Sequence, residues 1–420
     1  MSALRSILLK FWLVAVLVAS VQLLPNELHA QSDTGTADVD PAGILTRVRD
    51  TYERFLQDDF EYRFSLLPED AWARYAQMNL DLGNQTGISY LVAYTPALQI
   101  GTQGGLQDDT ANHNMNVIVG WAPPWQSGPN QGGFILQYLN VSQLTKTNGA
   151  QFSQSLGLSS FTSDSPVNID SFQTIAWRQQ FVDGLLEMRV GQFLPGTLFN
   201  SNSYASDDTR SFLSTPLSSE PSRTHPDAGI GAVVIGQILP DVFLGGALVD
   251  ANGAGEFLDF DSFFQGDYMT NVYVAWKPNI CGLGPGSYQF AMYFVDATES
   301  DSYSRGLGIN IEQSLREDLA VFCRYNQSDK RNPLIRKSAA AGVMCTNPFG
   351  WSDDWLGVGV GWSDPTDQSL RDEYVLESFW RIQLTPNTQV TPGAQIWLDP
   401  SMTPGDDVQA AFTLRAMIEL

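Results

Sequence analysis

Histidine and cysteine are scarce in this chain, and after its first thirty residues it contains no long apolar run. Each shortage removes a class of function. Three histidines occur in 420 residues. His29 falls in an N-terminal leader, while His113 and His225 stand far apart beside turn-forming residues, so both read as solvated loop side chains. Neither a metal site nor a histidine-based triad is expected. The three cysteines, Cys281, Cys323 and Cys345, allow one disulfide with one thiol left over, and nothing in the spacing selects the pair. No later segment approaches the roughly 18 apolar residues of a transmembrane helix, which excludes a helical membrane protein. Positive charge is also short: 23 Lys and Arg face 46 Asp and Glu, a formal net charge of −23. Nucleic acid is therefore a poor partner. With few bases to orient a nucleophile and no carboxylate pair singled out by spacing, neither enzymatic chemistry nor a cofactor is expected.

The first thirty residues read as a secretory signal peptide. Arg5 and Lys10 precede an apolar run from Phe11 to Val21, and Leu28-His29-Ala30 closes in small-residue fashion, with cleavage expected after Ala30. Residues 31–76 form a second segment, a periplasmic helical appendage or linker. Behind Pro41, Ile44, Val48, Thr51, Tyr52 and Phe55 recur at helical spacing, and Pro68-Glu69-Asp70 reads as a second helix start.

From about residue 77 to 420 the pattern changes. Past Met78 the helix signal ends, and segments of about ten residues alternate with period two, rich in Val, Ile, Tyr, Phe and Trp. They fall at about 86–100, 114–123, 133–148, 172–182, 185–194, 229–239, 242–250 and 268–277, then at 287–297, 305–314, 319–326, 339–347, 354–362, 374–385 and 388–398, with the last at the C-terminus. In that last segment Phe412, Leu414, Ala416, Ile418 and Leu420 share one face, opposed by Thr413, Arg415, Met417 and Glu419. Lipid outside and water inside produce this pattern. Short connections at Asp183-Gly184, Pro240-Asp241, Ser314–Asp318 and Pro386-Asn387 alternate with long ones, such as 195–228 and 251–267. The 11 Trp, 14 Tyr and 23 Phe suit aromatic girdles, with Trp380, Trp397, Trp351 and Trp355 near strand ends. The expected fold is all-β: a transmembrane antiparallel up-and-down β-barrel of about sixteen strands in the outer membrane, with a short N-terminal helical periplasmic segment.

In such a barrel the lumen-facing charges select what passes. Alternation points Arg178, Glu187, Arg189, Arg324, Glu377 and Arg381 inward, with Phe322 and Phe379. Arginine forks, carboxylates and an aromatic face would suffice for an uncharged sugar, and the same arginines would equally serve an anion. Acid gathers in turn-like segments such as Asp108-Asp109, Asp207-Asp208 and Asp406-Asp407.

Two stretches are more specific. In LGINIEQSLREDLAVFCRYNQSD at 307–329, Gln313 and a short polar turn precede Phe322, Arg324 and Tyr325. In ESFWRIQLTPNTQVTPGAQIWLDP at 377–400 the matching residues are Glu377, Arg381, Leu384, Pro386, Asn387, Pro392, Gln395 and Pro400. Both resemble the carbohydrate-selective porin (OprB) family, and 178–196 resembles it more loosely through Asp183-Gly184, Arg189, Gly191 and Pro195. The chain departs from the family at Gln192, where a basic residue is expected, and at Leu420, where an aromatic is. The resemblance implies a sixteen-stranded channel taking up glucose and related sugars by diffusion through a narrowing lined by arginines and carboxylates. By analogy it implies a homotrimer among outer-membrane lipids. The rival expectations are a general or anion-preferring porin, a membrane-embedded hydrolase and a secreted polysaccharide-binding β-protein without channel activity.

Overall fold

The computed structural model of the chain describes residues 52–53, 63, 68–102, 109–126, 128–223, 225–299, 303–329, 334–351 and 353–420. The expected leader and most of the 31–76 segment lie outside these residues. The strands are β1 (Ile88–Gly101), β2 (Asp109–Trp121), β3 (Gly132–Gln143), β4 (Ile169–Phe181), β5 (Leu186–Phe193), β6 (Gly229–Leu239), β7 (Val242–Asp250) and β8 (Tyr268–Trp276). They continue with β9 (Asn279–Ile280), β10 (Gly284–Val295), β11 (Ser304–Arg316), β12 (Leu319–Ser328), β13 (Ile335–Thr346), β14 (Trp355–Pro365), β15 (Glu373–Thr385), β16 (Thr388–Leu398) and β17 (Val408–Glu419). Two-residue β9 sits in a turn and pairs with Gly284 and Pro285, while β8 pairs directly with β10, Trp276 opposite Tyr288. β17 closes on β1, from Ala93 opposite Glu419 to Gly101 opposite Ala411. Sixteen antiparallel strands thus form a closed barrel with no free edge, which satisfies every ladder N–H and C=O inside a bilayer.

Alternation decides which face meets lipid. Phe412 and Leu414 on β17 are exposed, while Arg415, Met417 and Glu419 are buried inward. The same parity turns Leu376 outward on β15 and Glu377, Phe379 and Arg381 inward. Among the described residues no helix is long and apolar enough to cross a membrane.

The connections at 182–185, 240–241, 317–318 and 386–387 lie at one rim, together with those at 122–131, 277–283 and 347–354, and the three longest, 144–168, 194–228 and 251–267, lie at the other. Asp183 and Gly184 both take the left-handed conformation, φ 56° and 84°, which matches a tight hairpin to the twist of its strands. Both ends of the barrel chain meet at this short-turn rim. There α1 (Glu69–Thr86) begins after Pro68 and packs Trp72 and Ala76 against Leu91 and Ile118. The helix runs beyond Met78, where the apolar periodicity fades, because Leu80 still packs at the rim and Gly87 caps its end at φ 75°.

Three more expectations are corrected. β3 stops at Gln143 rather than 148, and the chain turns into α2 (Gly149–Ser155) beneath an Asn148–Gln151 capping box. Trp355 and Trp397 face inward and are buried, so neither belongs to an outer girdle. His113 is a β2 residue against the ring of Tyr94, not a loop side chain. All three thiols are free: Cys323 opposes Ala341 and Cys345 opposes Leu319, which keeps these two residues on adjacent strands apart.

Candidate functional site

The inward face of the barrel is partly filled by its own loops. The 144–168 connection, carrying α2, and the 194–228 connection, carrying α3 (Thr215–Ser218), supply Phe152, Leu156, Leu158, Phe212 and Leu217 to a buried cluster. The wall side of that cluster includes Phe322, Met344, Phe379 and Trp397. Phe212 meets Phe379 edge-on at 5.0 Å and Phe322 at 5.5 Å. The two loops are joined to each other, Asp164 N–H donating to Leu213 C=O at 3.0 Å and Phe161 N–H to Thr215 Oγ1 at 3.0 Å.

Polar wall residues hold the longer loop. The Glu377 carboxylate accepts from Leu213 N–H at 2.6 Å and Ser214 N–H at 3.0 Å. Arg324 donates to Ser219 C=O and to Ser206 Oγ, each at 2.7 Å. Glu312 accepts from Ser203 N–H at 2.7 Å and its hydroxyl at 2.8 Å, and Arg415 donates to Asp208 C=O and Ser211 C=O. Glu373 anchors the other loop, accepting from Ser159 N–H at 3.0 Å and Ser160 N–H at 2.6 Å. Within this crowded set the Asp208 carboxyl is pushed up to about 7, first by burial and then by Asp164 and Asp207, against the opposing pull of Ser165 and Arg415.

The eight residues expected to line a narrowing therefore divide. Arg324 and Glu377 are occupied with the inward loop, and Phe322 and Phe379 are covered by Phe212. Arg381 lies 3.9 Å over the Trp355 ring and donates to Asp353 C=O at 3.3 Å. Arg178, Glu187 and Arg189 come together on neighbouring strands β4 and β5. Glu187 accepts from Arg178 at 2.5 Å through one oxygen and from Arg189 at 2.6 Å through the other. These are charge-assisted bonds in the strong class, and they fix all three side chains.

Beside that triad is a hollow of about 130 Å³, bounded by Glu187, Arg189, Phe243, Tyr273, Lys277 and Gln289 and by the loop residues Leu198–Ser201. The Tyr273 ring stacks on Phe199 at 4.9 Å and 21°. A wider hollow, about 510 Å³, runs along α1 past Arg74 and Asp81, away from this triad. Tyr273 and Gln289 follow the inward parity of their strands and were legible in principle. Lys277 lies in a turn and Leu198–Ser201 in a loop, where no periodicity reports direction. No group of residues suited to a metal ion occurs among the described residues.

Residues 297–420 match the family described as Carbohydrate-selective porin, OprB family. Porin AaxA of Chlamydia abortus is 26% identical over 308 residues, 70% of this chain and 67% of that protein. Porin AaxA of Chlamydia felis is 27% identical over 295 residues, 67% of this chain and 64% of that one. The chain thus spans about two thirds of the length of these curated relatives. Among solved structures, the high-pH structure of Pseudomonas putida OprB aligns with a TM-score of 0.67 at 16% identity, over 82% of this chain and 97% of that chain. An anion-selective porin from Comamonas acidovorans gives 0.51 at 10% identity, over 80% and 100%. At these identities the structural likeness is one of fold.

Proposed function

We propose, from the match of residues 297–420 to the carbohydrate-selective porin family, that this chain is a passive diffusion channel for glucose and related sugars, with Arg178, Glu187 and Arg189 as the polar surface a sugar meets. The family match and the fold are those of outer-membrane channels rather than enzymes, and a closed barrel with an apolar outer face supports a channel over a secreted binding protein. The observation that carries the sugar reading is the fixed Arg178–Glu187–Arg189 array facing an aromatic wall, Tyr273 on Phe199. Forked donors beside an aromatic face match the hydroxyls and apolar faces of a pyranose.

Arg324, Glu377 and Arg381 act as positioning residues, the first two by holding the 194–228 loop. Residues 1–30 serve as the export leader and residues 31–76 as the periplasmic segment; the homotrimer rests on the resemblance alone. Preference for small anions is the second reading, favoured by two guanidiniums sharing one carboxylate.

The test is single-channel current of the refolded protein in a planar bilayer under titration with glucose, maltose and phosphate. Stable steps that glucose reduces in a saturable way support the sugar channel. Steps that only phosphate reduces favour the anion reading, and folded protein without steps sinks both.

A further inference from the structure

β2 carries three asparagines at alternate positions, in the run Asn112-His113-Asn114-Met115-Asn116. Asparagine is disfavoured in strands, where its side chain competes for backbone hydrogen bonds, so fold stability does not account for three at one parity. Breaks of local preference without a stability gain mark functional positions. All three asparagines face the lumen. They share parity with Thr110, which donates to Thr147 C=O at 2.9 Å, and Asn112 donates to Ser165 C=O at 3.1 Å, both in the inward 144–168 loop. We propose that Asn114 and Asn116, with Gln137 on β3, form a neutral hydrogen-bonding track for uncharged polyhydroxylated solutes, leading from the long-loop end of the lumen toward the Arg178–Glu187–Arg189 triad. The proposal deepens the sugar-channel reading and rests on it.

Neighbours, exposure and free polar groups support the track. On β1 the three asparagines stand opposite Ala97, Thr95 and Ala93, small residues that do not reach over the amides. Gln137 Nε2 donates to Asn116 Oδ1 at 3.3 Å, which joins β3 to the row. The Asn116 side-chain N–H groups and the Gln137 side-chain oxygen have no hydrogen bond among the described residues, and the Asn114 side chain makes none. Asn114, Asn116 and Gln137 are each partly exposed, and no polar atom of theirs is both buried and unpaired, so the free groups meet the water of the lumen. Gln137 stands opposite Thr174 on β4, and Arg178 lies further along that strand toward the short-turn rim. Same-face side chains recur about every 6.8 Å along a strand. A hexose, with hydroxyls around its ring, can therefore bond to one amide while it still holds the last. An amide offers donors and an acceptor without net charge. The row sorts solutes by their hydroxyls, while the triad beyond it senses charge.

The experiment is glucose block of the reconstituted channel, read together with the reversal potential under a KCl gradient. Asn114→Val should weaken glucose affinity about fivefold, as the loss of one neutral hydrogen bond implies, and leave the reversal potential unchanged. Asn114→Thr keeps the shape of valine and restores a hydroxyl, so it should recover most of the affinity. Valine and threonine both favour strands, so the barrel should fold in each case. Asn116→Val and Asn116→Thr repeat the comparison at the next amide, with the same result expected. Unaltered glucose affinity in both valine variants overturns the track while the channel reading stands. Threonine variants as weak as the valine ones overturn it too, as does a reversal potential that shifts with the affinity, because shape or charge rather than hydrogen bonding then decides. An unsubstituted channel that conducts without any glucose block overturns the sugar reading and the track together.

Discussion

Replacing Glu377 by alanine removes the carboxylate that accepts the Leu213 and Ser214 amides, 2% exposed in the barrel interior. Two buried N–H groups then lack an acceptor. Hydrogen bonds to charged groups contribute about 1.5–3 kcal/mol each, so the pair accounts for roughly 3–6 kcal/mol of loop docking. The loop does not leave altogether, because Arg324, Glu312 and the Phe212 rings still hold it. Its local opening should instead become at least about 100-fold more frequent, at 1.4 kcal/mol per factor of ten. Hydrogen exchange of the reconstituted protein reads this directly: amides at 207–219 should exchange faster, while amides in β6 and β7 keep their protection. Current noise should rise with the loop fluctuations. Unchanged protection at 207–219, or equal loss of protection in β6 and β7, would refute the idea that Glu377 latches the loop.

Phe212→Ala should leave a cavity among Phe322, Phe379 and Leu217, costing about 3–5 kcal/mol of loop packing and raising mean conductance in the bilayer assay. Glu187→Gln removes the carboxylate between Arg178 and Arg189, and reversal potentials under a KCl gradient should move toward anion preference. For Asp208 the sign runs toward acid: its carboxyl is raised to about 7 in the folded chain from 3.8, so the docked loop binds more protons than the released one. That contribution to docking is complete below pH 3.8 and is lost as pH rises through about 7, so the protection factors of the loop amides, corrected for the base-catalysed intrinsic rate, should be higher at pH 5 than at pH 8. Asp208→Asn should flatten this dependence, and an unaltered pH profile would count against it. Leu414→Arg, placed on the lipid face, should cost about 2–4 kcal/mol if it lies near the midplane and lower the yield of folded barrel, whereas Leu414→Val should fold normally.

What the sequence determined by itself is the barrel. Period two turns Phe412 and Leu414 to lipid and Arg415 to the interior, and the same parity correctly directs Arg178, Glu187, Arg324 and Glu377 inward. That reading works because pleating and burial are local: each side chain's face follows from its neighbour's. It failed where direction is not periodic. The helix passes residue 78 because capping and rim packing outlast its apolar stripe; Trp397 is the opposite case, a strand-end position that suits a girdle while its parity turns it inward.

Only the tertiary structure decided what the inward charges do. Arg324 and Glu377 find backbone groups more than a hundred residues away in a loop whose sequence carries no pattern pointing into the lumen. Arg178, Glu187 and Arg189 meet because β4 and β5 are hairpin neighbours, Arg178 directly opposite Arg189, and so were close to legible. Lys277, Phe243 and Leu198–Ser201 bound one hollow although they lie on a turn, a strand and a loop far apart in sequence. Alternation specifies a side chain's face; the path of the 194–228 loop specifies what that face touches.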